Sequence, residues 1–495
     1  MRQLLFLLIG LTLLSCKPKP VEPSVVEDVK VTASSFQEGD TLMASEVSGL
    51  VLTYSANVQV VTGKSITLNG QPIVPTRGNT MRELVFPLEL QDSVAYTLSI
   101  EKGAIANSKD ANHIAPAYTL HFYTYGTWKP TPPVASFLRQ LGWGWNLGNH
   151  FDTSSGKDGK KSNFWDNAKP TEQLYKNLKA MGASTVRMPV TWGNYQDVEK
   201  NYAIDADYMA LVKQNVDWAL NAGLYVILNT HHDEYWIDIV NAAINVSLKD
   251  SISKRITITW KQIAETFNYA NDHLIFETFN ELHDEAWGWG GNNARYYALQ
   301  NEWNQVAVDA IRATGGNNAT RWIGVPGFCA SPKFTMEGLV LPNDPAGKIM
   351  VGVHNYDPYK FAQTAEKNEW GHTSSNKDCD EAYFKDLFQQ LYDKYIANNI
   401  PCYLGEYGCV VQPSDRGEKY RNYYLEYFCR CAYMYNLPVM LWDNNNNGSG
   451  ERFYFINHNN GKLYNESLVK LMIKAATSTD PTYTLESVYN KAPQP

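Results

Sequence analysis

No segment of this 495-residue chain is both long and apolar enough to cross a bilayer; the most apolar stretch, Leu4 to Leu14, falls well short. Basic residues are not in excess. The 43 Lys and Arg face 51 Asp and Glu, a formal charge of −8 that cannot neutralise phosphates and so excludes nucleic acid as a partner. The same sign disfavours an acidic polysaccharide, so a neutral ligand fits better. No Cys-x-x-Cys pair occurs among the seven cysteines, which argues against a structural zinc site, and no metal is expected. No glycine-rich nucleotide loop is present, and no cofactor is expected. Tryptophan is absent from the whole N-terminal quarter: all 14 lie at or after Trp128. What remains, 44% hydrophobic and 19% charged residues, describes a soluble globular protein too long for one core.

The start reads as a targeting segment. Met1-Arg2, the apolar run and Leu13-Leu14-Ser15-Cys16 resemble a bacterial lipoprotein signal over residues 1–16. That resemblance implies lipidation at Cys16 and anchoring to a bacterial membrane, with the outer membrane expected and the cell surface or periplasm as the address. A plain secretory signal is the alternative, and export follows either way. Membrane contact is then through the N-terminal lipid only. The Pro-rich stretch 17–26 reads as a tether. Export permits disulfides among Cys329, Cys379, Cys402, Cys409, Cys429 and Cys431, but pairing cannot be read from sequence.

Residues 27–126 change to short alternating runs. Val29–Thr32, Leu50–Tyr54, Ser65–Leu68, Leu84–Leu88, Tyr96–Ile100 and Tyr118–Tyr123 are candidate strands, with Asn69-Gly70 as a tight turn. Their spacing predicts a small β-sandwich, and the segment resembles a bacterial Ig-like domain. Without tryptophan to stack sugars, a spacer is favoured over a glycan-binding module. Residues 127–133, rich in proline, read as a stiff linker.

From Val134 the period changes again. Eight apolar runs, Gly142–Asn149, Thr185–Val190, Tyr225–His232, Leu274–Glu281, Arg321–Phe328, Ile349–Tyr356, Pro401–Gly408 and Pro438–Asn444, alternate with amphipathic stretches. This predicts a (β/α)8 TIM barrel over 134–480, with a degenerate helix in the short gap between the fifth and sixth runs and a C-terminal tail at 481–495. The overall expectation is an α/β protein, a barrel preceded by an all-β sandwich. A doubly wound open sheet is the competing topology, disfavoured by the eightfold count.

Two of the runs end in glutamate, Asn280-Glu281 and Gly405-Glu406. Buried carboxylates are costly, so a strand ending in one is poor design for stability alone. Two carboxyls at one sheet end are what glycosidic bond cleavage requires. Other runs end in Asn146 to Asn149, Thr191-Trp192, His231-His232-Asp233, His354-Asn355-Tyr356 and Trp442-Asp443-Asn444. In a barrel all of these fall on the face that carries active sites.

Gly-Trp-Asn-Leu-Gly-Asn, Val-Arg-Met-Pro-Val-Thr-Trp, Phe-Asn-Glu-Leu, Val-His-Asn-Tyr, Gly-Glu-Tyr-Gly and Trp-Asp-Asn occur in the order seen in glycoside hydrolase family 5, which the chain resembles from Val134 to about Thr477. The resemblance implies a retaining hydrolase with Glu281 as acid/base and Glu406 as nucleophile. It implies supporting or substrate-binding roles for Arg187, His231, Asn280, His354, Tyr356 and Trp442; Asn149 and His232, at strand ends, are further substrate-side candidates, with the role of His232 open and His231 favoured to face the substrate. Met188 and the asparagine-rich stretch 443–447 depart from the family pattern, away from the catalytic pair.

The expected physics follows. Arg187 and Tyr356 hold Glu406 ionised, while burial and the Glu406 charge keep a proton on Glu281. Asn280 meets the sugar 2-hydroxyl, and Trp442 offers it a flat face. Taken alone, a strand-end arginine such as Arg187 reads more readily as a surface or structural salt bridge than as a catalytic group. His231, His232 and Asp233 suggest a metal site, but adjacent strand residues point to opposite faces, which argues against one. Trp192, Trp236, Trp287, Trp289 and Trp370 are cleft platforms or core, with Trp287-Gly288-Trp289 the best platform candidate. The expected activity is endo-hydrolysis of a neutral β-1,4-glucan backbone (cellulosic, mixed-linkage or xyloglucan) by a monomer. A mannanase is the enzymatic alternative, and a non-catalytic surface glycan-binding protein the alternative of another class.

Overall fold

The computed structural model describes residues 28–42, 47–91, 94–124, 132–153, 167–447 and 451–494. The expected signal peptide with Cys16, the tether and most of the linker lie outside the described residues. The chain forms two compact units, Met1–Trp128 and Lys129–Pro495.

In the first unit, a four-stranded and a five-stranded sheet, with a two-stranded pair of Val58–Val60 and Ile105–Asn107, share one core. Strands Gly49–Tyr54 and Glu83–Pro87 pair antiparallel and alternate buried with half-buried residues, as do Ala95–Ile100 and Tyr118–Thr124 in the five-stranded sheet. Their inward side chains, including Leu50, Leu52, Leu84, Phe86, Leu98 and Phe122, make one apolar cluster. Asn69 and Gly70 both take positive φ, 48° and 76°, so the two-residue turn they form matches the twist of strand Ile66–Leu68 against Gln71–Pro72.

The second unit is a closed parallel barrel. Its strands are β1 (Trp143–Asn146), β2 (Thr185–Met188), β3 (Tyr225–Asn229), β4 (Leu274–Glu277), β5 (Ile323–Pro326), β6 (Ile349–Asn355), β7 (Cys402–Tyr407) and β8 (Val439–Leu441). Each lies within one of the eight apolar runs, and β8 pairs back onto β1. Long helices follow most strands, for example Ala206–Asn221, Val246–Thr266, Ala294–Arg312 and Asp415–Met434. Between β5 and β6 the connection holds only the seven-residue helix Pro332–Gly338, the degenerate element expected there.

Alternation breaks once, where it matters. The β6–β7 register shifts between Val353/Leu404 and His354/Glu406. One extra residue in β7, at Gly405, lets Tyr403 and Glu406 both reach the barrel interior although they are three apart. Tyr407 then turns to the helices, where Trp143 Nε1 and Cys429 Sγ donate to its hydroxyl. All six described cysteines are free.

Of the expected tail 481–495, the described residues 481–494 are packed instead. Tyr483, Val488 and Ala492 are buried, and Tyr483 donates to Glu426 on helix Asp415–Met434 at 2.7 Å. Burial of those three apolar side chains holds the segment down.

Candidate active site

β2 delivers Arg187, fully buried, to the barrel axis. A buried guanidinium needs several acceptors. Here Nη1 donates to Glu406 Oε1 at 2.6 Å and to Asn146 Oδ1 at 3.0 Å. Nη2 donates to Asn280 Oδ1 at 2.8 Å and to Glu277 Oε1 at 2.6 Å, and Nε faces both Glu277 oxygens. The carboxylates on both sides hold its pKa well above the usual arginine range, against the effect of burial. Arg187 is therefore not a surface salt bridge; it makes a buried ion pair with Glu277 and another with Glu406.

Glu406, near the end of β7, also accepts from Tyr356 Oη at 2.8 Å on its second oxygen. Burial raises its pKa, His354 and Arg187 lower it, and Glu281 raises it again; the net direction is upward. Glu281 lies four residues beyond the end of β4 and is paired with His354. Its Oε1 lies 2.6 Å from His354 Nδ1. Burial, the largest cause, pushes Glu281 up to about 7, and Arg187 and His232 only partly oppose this. Burial likewise takes His354 down to about 4. At neutral pH or just below, that contact joins a neutral imidazole to a carboxylic acid rather than two ions. Oxygens of Glu281 and Glu406 and a ring nitrogen of His354 all lie within 4.8 Å of one another.

Because Arg187 takes the Asn280 carbonyl oxygen, the amide nitrogen is the end left for a ligand. Trp442, 9% exposed, lies parallel to the His231 ring at 5.9 Å between centroids. Asn149 adopts φ 60° and donates its backbone N–H to Asp152.

The alternation argument for His231 and His232 fails. β3 ends at Asn229, so both histidines sit in the following turn, with ring centroids 4.4 Å apart and nitrogens within 4.8 Å of an Asp152 oxygen. Their donor atoms are already engaged. Asp152 accepts from the Asn149 and His150 amides, and His231 Nδ1 accepts from Asn229 Nδ2 at 3.2 Å, which leaves the His231 proton on Nε2. His232 is raised to about 9: burial lowers it, but Glu234 and Asp152 raise it more. Asp233 accepts from the Trp192 and Gly193 amides and fixes the preceding loop.

Of the five tryptophans considered as platforms, Trp192 and Trp370 are core, and Trp236 is buried under Arg255. Trp287 and Trp289 are 45% and 75% exposed, and Trp287 stacks on His283 at 3.7 Å.

Sequence reading missed Glu277, Tyr403, Asn229 and Asp152, and named Asn146 only as a strand ending. Glu277 is the clearest omission, a second carboxylate in the Leu274–Glu281 run, one helical-turn spacing before Glu281. The signal was present in its cost: an acid at the fourth position of Leu-Ile-Phe-Glu must be paired inside.

Comparison with known proteins supplies the remaining evidence. Residues 148–448 match the cellulase (glycosyl hydrolase family 5) model. Endoglucanase A of Paenibacillus barcinonensis is 32% identical over 69% of this chain and 90% of its own length. A Bacteroidetes-affiliated GH5 cellulase linked with a polysaccharide utilization locus superposes with a TM-score of 0.70 at 37% identity, covering 73% of this chain and 98% of that one. A GH5-4 broad specificity endoglucanase from Bacteroides salanitronis gives a TM-score of 0.67 at 37% identity, over 71% and 97%. With the ordered motifs, the closed barrel and the paired carboxyls, these likenesses establish that the chain belongs to glycoside hydrolase family 5 and is a glycan-cleaving hydrolase related to endoglucanases.

Proposed function

We propose that this chain is a retaining endo-β-1,4-glucanase that cuts internal bonds of neutral β-glucans by double displacement. The observation that carries the reading is the asymmetry of the carboxyl pair: Glu406 sits on Arg187, while Glu281 sits on His354. One oxygen of each lies within 4.8 Å of the other, which supports the closer spacing of retaining enzymes, about 5–5.5 Å between carboxyls, over the about 6.5–9.5 Å of inverting ones.

In the first step a Glu406 oxygen forms a bond to the anomeric carbon as the bond to the leaving oxygen breaks. The Glu281 proton passes to that leaving oxygen. In the second step Glu281, now ionised, takes a proton from water, whose oxygen attacks the anomeric carbon and releases the Glu406 carboxylate. Since Glu281 must start protonated and rises to about 7, kcat/KM is expected to fall as pH rises through about 7. A pH–rate profile on an unactivated cello-oligosaccharide checks this; a basic limb well above that value counts against Glu281 as the acid.

The substrate follows from the ring of aromatic and polar strand ends, and from relatives that carry endoglucanase activity in their names, one with broad specificity. Asn280 placed to bond an equatorial 2-hydroxyl discriminates against the axial hydroxyl of mannose, because its amide would go unpaired. Reducing ends measured over carboxymethyl cellulose, mixed-linkage glucan, xyloglucan and mannan are expected to appear faster from a glucan than from mannan, with falling viscosity. Mannan faster than every glucan would favour the mannanase alternative; binding without cleavage would favour the glycan-binding one.

The N-terminal unit we read as an Ig-like spacer and residues 1–16 as a lipoprotein signal, so the enzyme works as a lipid-anchored monomer outside the inner membrane. Among the described residues no helix is long and apolar enough to cross a membrane. A protein starting at Pro133 is expected to keep its kcat and KM on soluble oligosaccharides; a large loss of binding to insoluble glucan would instead make the first unit a binding module.

A further inference from the structure

The buried carboxylate of Glu277 is used by neither step above, yet it is the most heavily hydrogen-bonded acid in the barrel. It is 2% exposed and ends β4. Arg187 donates to it from Nε at 3.1 and 3.2 Å and from Nη2 at 2.6 Å. Asn229 Nδ2 donates from β3 at 2.9 Å, and Tyr403 Oη donates from β7, across the barrel, at 2.5 Å. The path for Tyr403 is built. A Cβ on Gly324 of β5 would lie 2.3 Å from its hydroxyl, and one on Gly352 of β6 would lie 2.8 Å away. Two neighbouring strands therefore give up side chains so that this one phenol reaches this one acid.

Three consequences meet at Arg187. First, its fork is shared between two acids, Glu277 on one edge and Glu406 on the other. Glu277 fixes the guanidinium plane, and that plane aims Nη1 at Glu406 and Nη2 at Asn280. Second, Asn229 is locked because Val190 N donates to its Oδ1, so its amide must face Glu277 and His231. The same acid thus orients an imidazole of the cleft. Third, when Glu406 becomes a glycosyl ester it loses its charge. Arg187 would then be a buried cation without a counterion were Glu277 absent, a costly state.

We propose that Glu277, held by Tyr403, is a positioning residue and fixed counter-charge: it shares Arg187 with Glu406, keeps Glu406 basic enough to attack, and balances Arg187 in the glycosyl-enzyme. This inference rests on the reading of Glu406 as nucleophile. The groups facing this acid are Arg187 from β2, Asn229 from β3, His354 from β6 and Tyr403 from β7. Those facing Glu406 are Arg187, His354 with Tyr356 beyond the end of β6, and Glu281 after β4.

The signs are opposite for two substitutions, which makes the test sharp. Glu277→Gln removes a negative charge, so Arg187 pairs with Glu406 alone and Glu406 becomes more acidic and less nucleophilic. Tyr403→Phe removes one donor from Glu277, so more of its charge falls on Arg187 and Glu406 becomes less acidic. The full-length protein and these variants are assayed on 2,4-dinitrophenyl β-cellobioside across pH, with circular dichroism to check folding. Glu277→Gln is expected to lower kcat/KM about 10- to 100-fold and to move the acidic limb down by about one pH unit. Tyr403→Phe is expected to move that limb up with a smaller loss of rate. Glu277→Asp, which keeps the charge, should restore the wild-type limb and part of the rate. A rate loss with an unmoved limb, or no loss, overturns the proposal and leaves Glu277 a structural residue. If Glu277→Gln does not fold, the direction seen in Tyr403→Phe decides alone, an unmoved or lowered limb being contrary. A wild type inactive on the glycoside, or an active Glu406→Ala, would defeat the nucleophile reading itself and this inference with it.

Discussion

Glu406→Ala is expected to lower kcat by about 10⁴-fold or more on every substrate, activated or not, as loss of a covalent nucleophile does in other hydrolases. The reason lies in what surrounds the side chain. Its two oxygens are separately engaged, one by Arg187 at 2.6 Å and one by Tyr356 at 2.8 Å, so the carboxylate is aimed, and both donors favour its ionised form against the upward pull of burial. Removing it leaves a cavity beside a buried guanidinium. Formate or azide should enter that space and restore part of the activity on an activated aryl glycoside, by direct attack and with inversion. Single-turnover kinetics with and without the anion check this, and a variant that keeps more than a few per cent of activity without rescue counts against Glu406 as nucleophile.

Glu281→Ala should behave differently, and the difference is the informative part. On an unactivated glucan the loss should be about 10²- to 10⁴-fold, the usual contribution of a general acid. A dinitrophenyl leaving group needs no proton, so the first step should survive and the glycosyl-enzyme should accumulate, seen as a burst followed by slow turnover. Azide should then speed the second step with retention, because it needs no base. The fall in rate through about pH 7 should also vanish, since the group raised to that value by burial is gone. If both alanine variants respond alike to the activated substrate, the division of roles between them is wrong.

Where the chain's chemistry was legible, a short-range pattern carried it. All eight barrel strands fall inside apolar runs visible in the sequence, because buried parallel strands must be apolar on both faces. Asn69-Gly70 announced its turn because few other pairs accept positive φ twice. Glu281, Glu406, Arg187, Asn280, His354 and Tyr356 converge because strand ends converge in a barrel. What stayed hidden depends on register across strands. The extra residue at Gly405 puts Tyr403 and Glu406 on one side, which alternation alone denies. Glu277 is an inward acid whose partners come from β2, β3 and β7, so nothing adjacent in sequence declares its purpose. His231 and His232 were assigned opposite faces on a strand rule, but the strand ends two residues earlier.

The most direct test of the account is the site of covalent trapping. The protein is incubated with 2,4-dinitrophenyl 2-deoxy-2-fluoro-β-cellobioside, digested, and its peptides are sequenced by tandem mass spectrometry. The account predicts one adduct per chain, carried on Glu406 in the Gly-Glu-Tyr-Gly segment. An adduct on Glu281 or on any other residue, or none while the same preparation hydrolyses glucan, would contradict it.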